Sequence, residues 1–267
     1  LYVQERDEAG NWSVSGSYAI TIDLTAPNAP VVSGPTPTNN TTPTWTWTGG
    51  PNATDFALGL DGINKYRYSL DTPAGPFTEL AQDVTAFTPG STLAEGDHIL
   101  YVQEVDNAGN WSVSGSLTIT VDVTAPNAPA VSGPTPTNNT TPTWSFAGGA
   151  NATDFALGLD GIDTFRYSLD GDPVSGPWSA ETTTTDFTPG TALGEGDHIL
   201  YVQERDEAGN WSVSGSFTIT VDVTAPNAPA VSGTTPTFNT TPTWSFAGGA
   251  NATDFALGLD GIDTFRY

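Results

Sequence analysis

Residues 200–229 read LYVQERDEAGNWSVSGSFTITVDVTAPNAP. Two halves of this stretch alternate with a period of two. In "HILYVQERD", from residue 198, His198, Leu200 and Val202 fall on one face and Ile199, Tyr201 and Gln203 on the other. In "SFTITVDV", from residue 216, Phe217, Ile219 and Val221 form an apolar face. Between them lies "DEAGN". The Asp206 carboxylate there can accept backbone N–H bonds two or three residues on, and Gly209 can supply a positive φ. Two half-buried strands joined by a tight turn make an antiparallel pair, and so an all-β reading.

The stretch is repeated. "LYVQERDEAGNWSVSGS" starts at Leu1 and Leu200, and "LYVQEVDNAGNWSVSGS" starts at Leu100. "TAPNAP" recurs at Thr25, Thr124 and Thr224, and "NATDFALGLDGI" at Asn52, Asn151 and Asn251. The period of 99 to 100 residues is too long for a solenoid unit and suits one small β domain. Turn signals break the chain every 8 to 12 residues or so, the spacing of a sandwich.

For the second repeat the pattern predicts strand A near 130–133, B at 142–148, C at 164–171, a C′ or D segment at 178–184, E near 186–188, F at 198–206 and G at 216–223. Trp144 and Phe146 should point inward with Phe165 and Tyr167, and the other tryptophans and tyrosines are also read as core. The fold class is therefore all-β, with tandem seven-stranded sandwiches in an extended rod. The expected boundaries are 1–24 (strands F and G of one domain), 25–123 and 124–223 (complete domains) and 224–267 (strands A to C of another). The prolines of "TAPNAP" make the linkers short and semi-rigid.

Composition narrows the function. Thirty Asp plus Glu against six Lys plus Arg leave a net charge of −24. Such acidity argues against nucleic acid and against insertion into or binding to anionic membranes. There is no Cys, so packing, pairing or metal must supply the stability. The chain starts mid-pattern, and any export signal is expected upstream of it. No Cys nucleophile or G-x-S-x-G elbow is present, and the carboxylates fall at loop ends rather than around a cleft, which argues against an enzyme. His98 and His198 are read as strand residues.

The combination of "D-x-A-G-N" with "V-D-x-T-A-P", and "TPTWSFAGG…FRYSLDG", resembles the bacterial Ig-like repeats of large surface adhesins and biofilm proteins. The resemblance covers the whole chain. It implies an extracellular or cell-surface rod of Ig-like domains, commonly with calcium at the junctions. The long acidic B–C segment "GGANATDFALGLDGID" departs from the simpler relatives.

Acid placement leads to the same metal independently. If successive strands alternate in direction, the B–C and F–G loops lie at the pole where strand A starts, and strand G ends at the other. Head-to-tail stacking then brings the end of one G strand to the B–C and F–G loops of the next domain. The first such junction would gather Asp23, Asp55, Asp61, Asn64, Glu104 and Asp106. The second would gather Asp122, Asp154, Asp160, Asp163, Glu204, Asp206, Glu207 and Asn210, and the third Asp222, Asp254, Asp260 and Asp263. Calcium takes six to eight oxygens and tolerates irregular geometry, so a calcium ion is expected at each junction. The turn-forming role of Asp106 and Asp206 remains the competing account of those two residues. The expected partners are neighbouring domains of the same chain, with no assigned adhesion ligand. The leading functional reading is a spacer of roughly 40 Å per domain. The alternatives are a glycan- or protein-binding module using the B–C loops, and a filament subunit with end-to-end contact between chains.

Overall fold

The computed structural model describes residues 1–50, 63–149, 162–248 and Arg266. All regular secondary structure among them is strand. The chain divides into two compact units, Leu1–Val123 and Thr124–Tyr267.

The first unit opens with a short hairpin, β1 (Tyr2–Val3) paired with β2 (Gly16–Ser17). Seven strands follow: β3 (Val31–Ser33), β4 (Trp45–Thr48), β5 (Ile63–Leu70), β6 (Thr78–Ala81), β7 (Ala86–Phe87), β8 (Gly96–Asp106) and β9 (Gly115–Val121). They form two antiparallel sheets, ordered β3-β4-β7 and β6-β5-β8-β9. In lettered terms these are A-B-E and C′-C-F-G. The inward residues are those at alternating positions. Trp45 and Trp47 of β4 meet Tyr66, Leu100, Val102, Ile119 and Val121 in one buried cluster. Trp45 also ties the sheets together, donating its indole N–H to the Leu117 carbonyl at 3.1 Å. After β3 the chain crosses between the sheets, and Thr38 makes a parallel bridge to Val121.

The second unit repeats the plan with β10 (Ala130–Ser132), β11 (Trp144–Ala147), β12 (Ile162–Leu169), β13 (Asp186–Phe187), β14 (Gly196–Asp206) and β15 (Gly215–Val221). Its sheets are β10-β11-β13 and β12-β14-β15, around Trp144, Phe146, Phe165, Leu200, Val202, Ile219 and Val221. Tyr167 and Phe217 pack against that core half-buried. A last pair, β16 (Ala230–Gly233) with β17 (Trp244–Ala247), follows.

Two expectations need correction. The C′ segment at 178–184 is not a continuous strand; it keeps a single bridge, Phe165 to Thr182. Its counterpart β6 carries Leu80, which packs on the core, whereas "ETTTT" offers no apolar side chain to hold a ladder down. Trp111 and Trp211 are also not core residues. They are half-buried outside the core clusters, over the guanidinium groups of Arg67 and Arg166 at 3.9 and 4.0 Å, and Tyr2, Trp12, Tyr18 and Trp244, also read as core, are exposed.

Candidate functional site

One face of β8 changes character along its length. Leu100, Val102, Glu104 and Asp106 occupy alternate positions, and all four are buried. The strand therefore carries two apolar residues into the core and then two acids beneath the F–G turn at its end. The same order recurs at Leu200, Val202, Glu204 and Asp206.

Asp106 builds the turn. Its Oδ1 accepts the backbone N–H groups of Ala108, Gly109 and Asn110 at 2.9, 2.7 and 2.8 Å. Its Oδ2 accepts Asn110 Nδ2 at 2.9 Å. Gly109 has φ of 99°, which a side chain at that position would oppose. Burial alone would raise the Asp106 pKa, but the Asn110 amide and the three backbone donors outweigh it and hold the carboxyl below its ordinary value. Asp206 repeats the arrangement with Gly209 and Asn210 at 2.7 and 2.8 Å, and Gly209 has φ of 102°. These are the hydrogen bonds that the turn-forming account of the two aspartates calls for.

Glu104 is placed differently. Its Oε2 accepts the backbone N–H of Gly50, at the end of the segment after β4, at 3.1 Å. Its Oε1 is buried without a hydrogen-bond partner among the described residues. Burial, only partly offset by the Gly50 bond, pushes its pKa to about 7. Glu204 accepts from the equivalent Gly149 at 3.1 and 2.9 Å. Both glycines sit where a side chain cannot: a Cβ on Gly50 would stand 2.5 Å from the Ala29 carbonyl oxygen, and one on Gly149 2.5 Å from that of Asn127.

Asp23, which closes the preceding repeat, reaches this same turn. Its backbone carbonyl accepts Asn110 Nδ2 at 3.2 Å. Its Oδ1 accepts the Thr25 N–H at 2.9 Å, while its Oδ2 is buried without a hydrogen-bond partner among the described residues. "TAPNAP" runs along the same pole, so closely that a Cβ on Gly115 would collide with the Pro30 carbonyl oxygen at 1.9 Å.

The other sequence-predicted ligands are distributed as follows. Asp122 is buried and Asp222 half-buried; their backbone N–H groups donate to the carbonyls of Thr38 and Thr137 at 3.0 and 2.9 Å. Asn64 and Asp163 lie on β5 and β12 where the register slips by a residue opposite Asp106 and Asp206. Asp55, Asp61, Asp154, Asp160, Asp254, Asp260 and Asp263 fall outside the described residues. Among the described residues, no group of three or more His, Cys, Asp or Glu side chains could by itself hold a metal ion. Among the described residues, the carboxylate oxygens Asp23 Oδ2 and Glu104 Oε1 are buried without hydrogen-bond partners and fit a cation chemically.

Sequence reasoning missed the support for the turn. Arg67 lies between Trp111 and Phe77, 3.9 and 4.6 Å from the two rings, and donates to Gln103 Oε1 at 2.7 Å. Arg166 does the same with Trp211 and Trp178 at 4.0 and 4.8 Å, donating to Gln203 Oε1 at 2.9 and 2.7 Å. Each stack clamps the start of "WSVSGS" to the middle of strand C. The signal was there to read: in so acidic a chain, each complete repeat has an arginine at the same position of strand C.

No curated protein sequence matches this chain. Among solved structures it is similar to the fibronectin(III)-like modules of CbhA from Clostridium thermocellum, at 13% identity and a TM-score of 0.41, over 72% of this chain and 94% of that one. It is also similar to the FN1–FN3 domains of chicken CNTN1, at 15% identity and a TM-score of 0.38, over 82% of this chain and 76% of that one. The family described as bacterial Ig-like domain matches residues 32–123 and 132–223. With two tandem matches over more than half its length, on repeats that fold as two-sheet sandwiches, the chain belongs to the bacterial Ig-like domain family.

Proposed function

We propose that the chain is an extracellular spacer segment of a bacterial surface adhesin, in which tandem Ig-like domains are stiffened by calcium bound where one domain meets the next. One observation supports this reading above the others. The end of one repeat, Asp23, is tied to the F–G turn of the next through Asn110, and Asp23 Oδ2 and Glu104 Oε1 are buried carboxylate oxygens with no donor among the described residues. A buried carboxylate oxygen without a partner is costly, and a divalent cation removes that cost.

In this proposal Asp23 and Glu104 supply the described ligands at the first junction, and the Asp106 turn holds Asn110 against the Asp23 carbonyl. The long B–C segment, with Asp55 and Asp61, would complete the oxygen set. Calcium would contribute the positive charge and the link between domains. The third junction would use the corresponding acids around Asp222. Outside the cell, near-millimolar calcium suits a site of modest affinity.

The test is calorimetric titration with calcium, paired with small-angle scattering of the chain in calcium and in chelator. Heat of binding, with a longer and stiffer particle in calcium, is the expected result. No heat and unchanged scattering would reject the metal. Glu104→Gln separates the effects: it keeps the shape, removes the buried charge, and should raise stability without calcium by about 1–3 kcal/mol at pH 8 while abolishing the response of the first junction.

A further inference from the structure

The two histidines share a geometry with a chemical consequence. His98 Nδ1 lies 2.8 Å from Asp71 Oδ2, and its Nε2 lies 3.0 Å from the Ala94 carbonyl oxygen. His198 repeats this with Asp170 Oδ2 at 2.7 Å and the Gly194 carbonyl oxygen at 3.0 Å. A carbonyl oxygen only accepts, and so does a carboxylate. A neutral imidazole has one N–H donor; only the imidazolium has two. Both partners of each ring can be satisfied at once only if the ring is protonated.

The surroundings are built for this. Asp71 and Asp170 have φ of 57° and 52°, a left-handed conformation that Asp tolerates better than most residues, at the turn that ends strand C. Each is pinned on both sides by Ile99 or Ile199. The Ile99 N–H donates to Asp71 Oδ1 at 2.7 Å and the Ile199 N–H to Asp170 Oδ1 at 2.8 Å. In return the Asp71 and Asp170 N–H groups each donate to the isoleucine carbonyl at 2.8 Å. The sequence after these aspartates differs, "TPAGP" against "GDPVSGP", yet the geometry is the same. Each histidine side chain is about 15% exposed.

The charged groups acting on His98 are Asp71 from the C-strand turn and its own neighbour Asp97, with Glu95 following Ala94 in the E–F connection. On His198 they are Asp170 and Asp197, with Glu195 following Gly194. All are acidic. Asp97 and Asp197 are held by the Thr120 and Thr220 hydroxyls at 2.6 Å.

We propose that His98 and His198 are imidazolium cations built into the fold, each acting as a pH-operated clamp that ties the C-strand turn and the E–F connection to the start of strand F. Loss of the proton leaves one donor for two acceptors, so either the Asp bond or the carbonyl bond must open. The clamp lies six residues along β8 from Glu104, about 20 Å for an extended strand, and does not depend on the calcium site. Burial works against the charge at His98, but the Asp71 hydrogen bond, the Ala94 carbonyl and the nearby carboxylates raise its pKa above 6.5. At His198 the Asp170 hydrogen bond leads the same upward shift. The sign follows: the stabilisation is complete below the unfolded-state value of about 6.5 and is lost as pH rises through the folded value.

The chain has only these two histidines, so imidazole ¹⁵N NMR of the full chain reads them directly, with His98→Gln assigning the pair. At pH 7 both nitrogens of both rings should give protonated signals, and both midpoints should lie above those of the same chain unfolded in urea. Asp71→Asn should lower the His98 midpoint and leave that of His198 unmoved. A neutral tautomer at pH 7, with a midpoint at or below the unfolded one, would overturn the proposal. So would an unmoved His98 midpoint in Asp71→Asn.

Discussion

Residues 144–147 and 244–247 are the same four letters, WSFA, and both form strands. Both pair in the same register with an AVS strand, Ala130 opposite Ala147 and Ala230 opposite Ala247. Yet Trp144 is 0% exposed and Trp244 is 64% exposed. The F–G hairpin shows the same contrast. Leu200 is 0% exposed and Leu1, its equivalent, 85%. The turn is alike in both places, with the Asn11 N–H donating to Asp7 Oδ1 at 2.8 Å as Asn210 does to Asp206. The pairing is alike where the two can be compared: Tyr2 faces Ser17 and Val3 faces Gly16, as Tyr201 faces Ser216 and Val202 faces Gly215. Turn chemistry is local and forms wherever the letters occur. A buried face needs the opposite sheet, because burying apolar surface takes another layer to bury it against.

The sharpest way to break this comparison is at the tryptophans. Trp144→Ala should cost about 3–5 kcal/mol, the price of a large core cavity, while Trp244→Ala should cost less than about 0.5. Urea unfolding followed by circular dichroism measures both; equal costs would mean that the exposed strand is as well packed as the buried one.

The turn aspartates come next. Asp106→Ala removes four hydrogen bonds from a buried carboxylate, which should cost about 2 kcal/mol. Asp7→Ala, at an exposed copy of the turn, should change stability little. Amide exchange at Gly109 and Asn110 against Gly10 and Asn11 reads the difference. The Asp106 pKa is held below its ordinary value, so its stabilisation is present above about pH 3.8 and is lost as pH falls through the folded value. Exchange at Gly109 should therefore accelerate, relative to the intrinsic rate, only in strong acid.

A smaller effect is expected at the stacked arginines. Arg166→Ala should cost about 1 kcal/mol and shift Trp211 emission to the red, whereas Arg6, whose guanidinium is 5.7 Å from the Trp12 ring in the exposed hairpin, should show less of either. The smallest change is at the surface pair Lys65–Glu79, 2.6 Å apart with both side chains well exposed. Lys65→Ala should move stability by no more than about 0.5 kcal/mol, and by less in high salt.

Much of the fold could be read from the letters. The alternation in "HILYVQERD" and "SFTITVDV" predicted the F and G strands and their inward residues Leu200, Val202, Ile219 and Val221. The candidate site was only partly legible. Alternation put Glu204 and Asp206 on one face, but the same arithmetic does not say that this is the core face, or that Asp106 and Asp206 would spend their oxygens on the turn. The arginine stacks were missed because a tryptophan in an alternating segment reads as core whichever side of the sheet it lies on.

By itself the sequence determined the period, the strands and the turns, because each depends on residues a few positions apart: side-chain alternation, an aspartate able to cap its own turn, a glycine with positive φ. Only the tertiary structure decided which of two identical WSFA strands is buried, which carboxylate oxygens are left without donors, and that each histidine faces two acceptors. Those depend on groups brought together from dozens of residues apart, and the free energy of burying a charge or a ring is set by what the fold places against it.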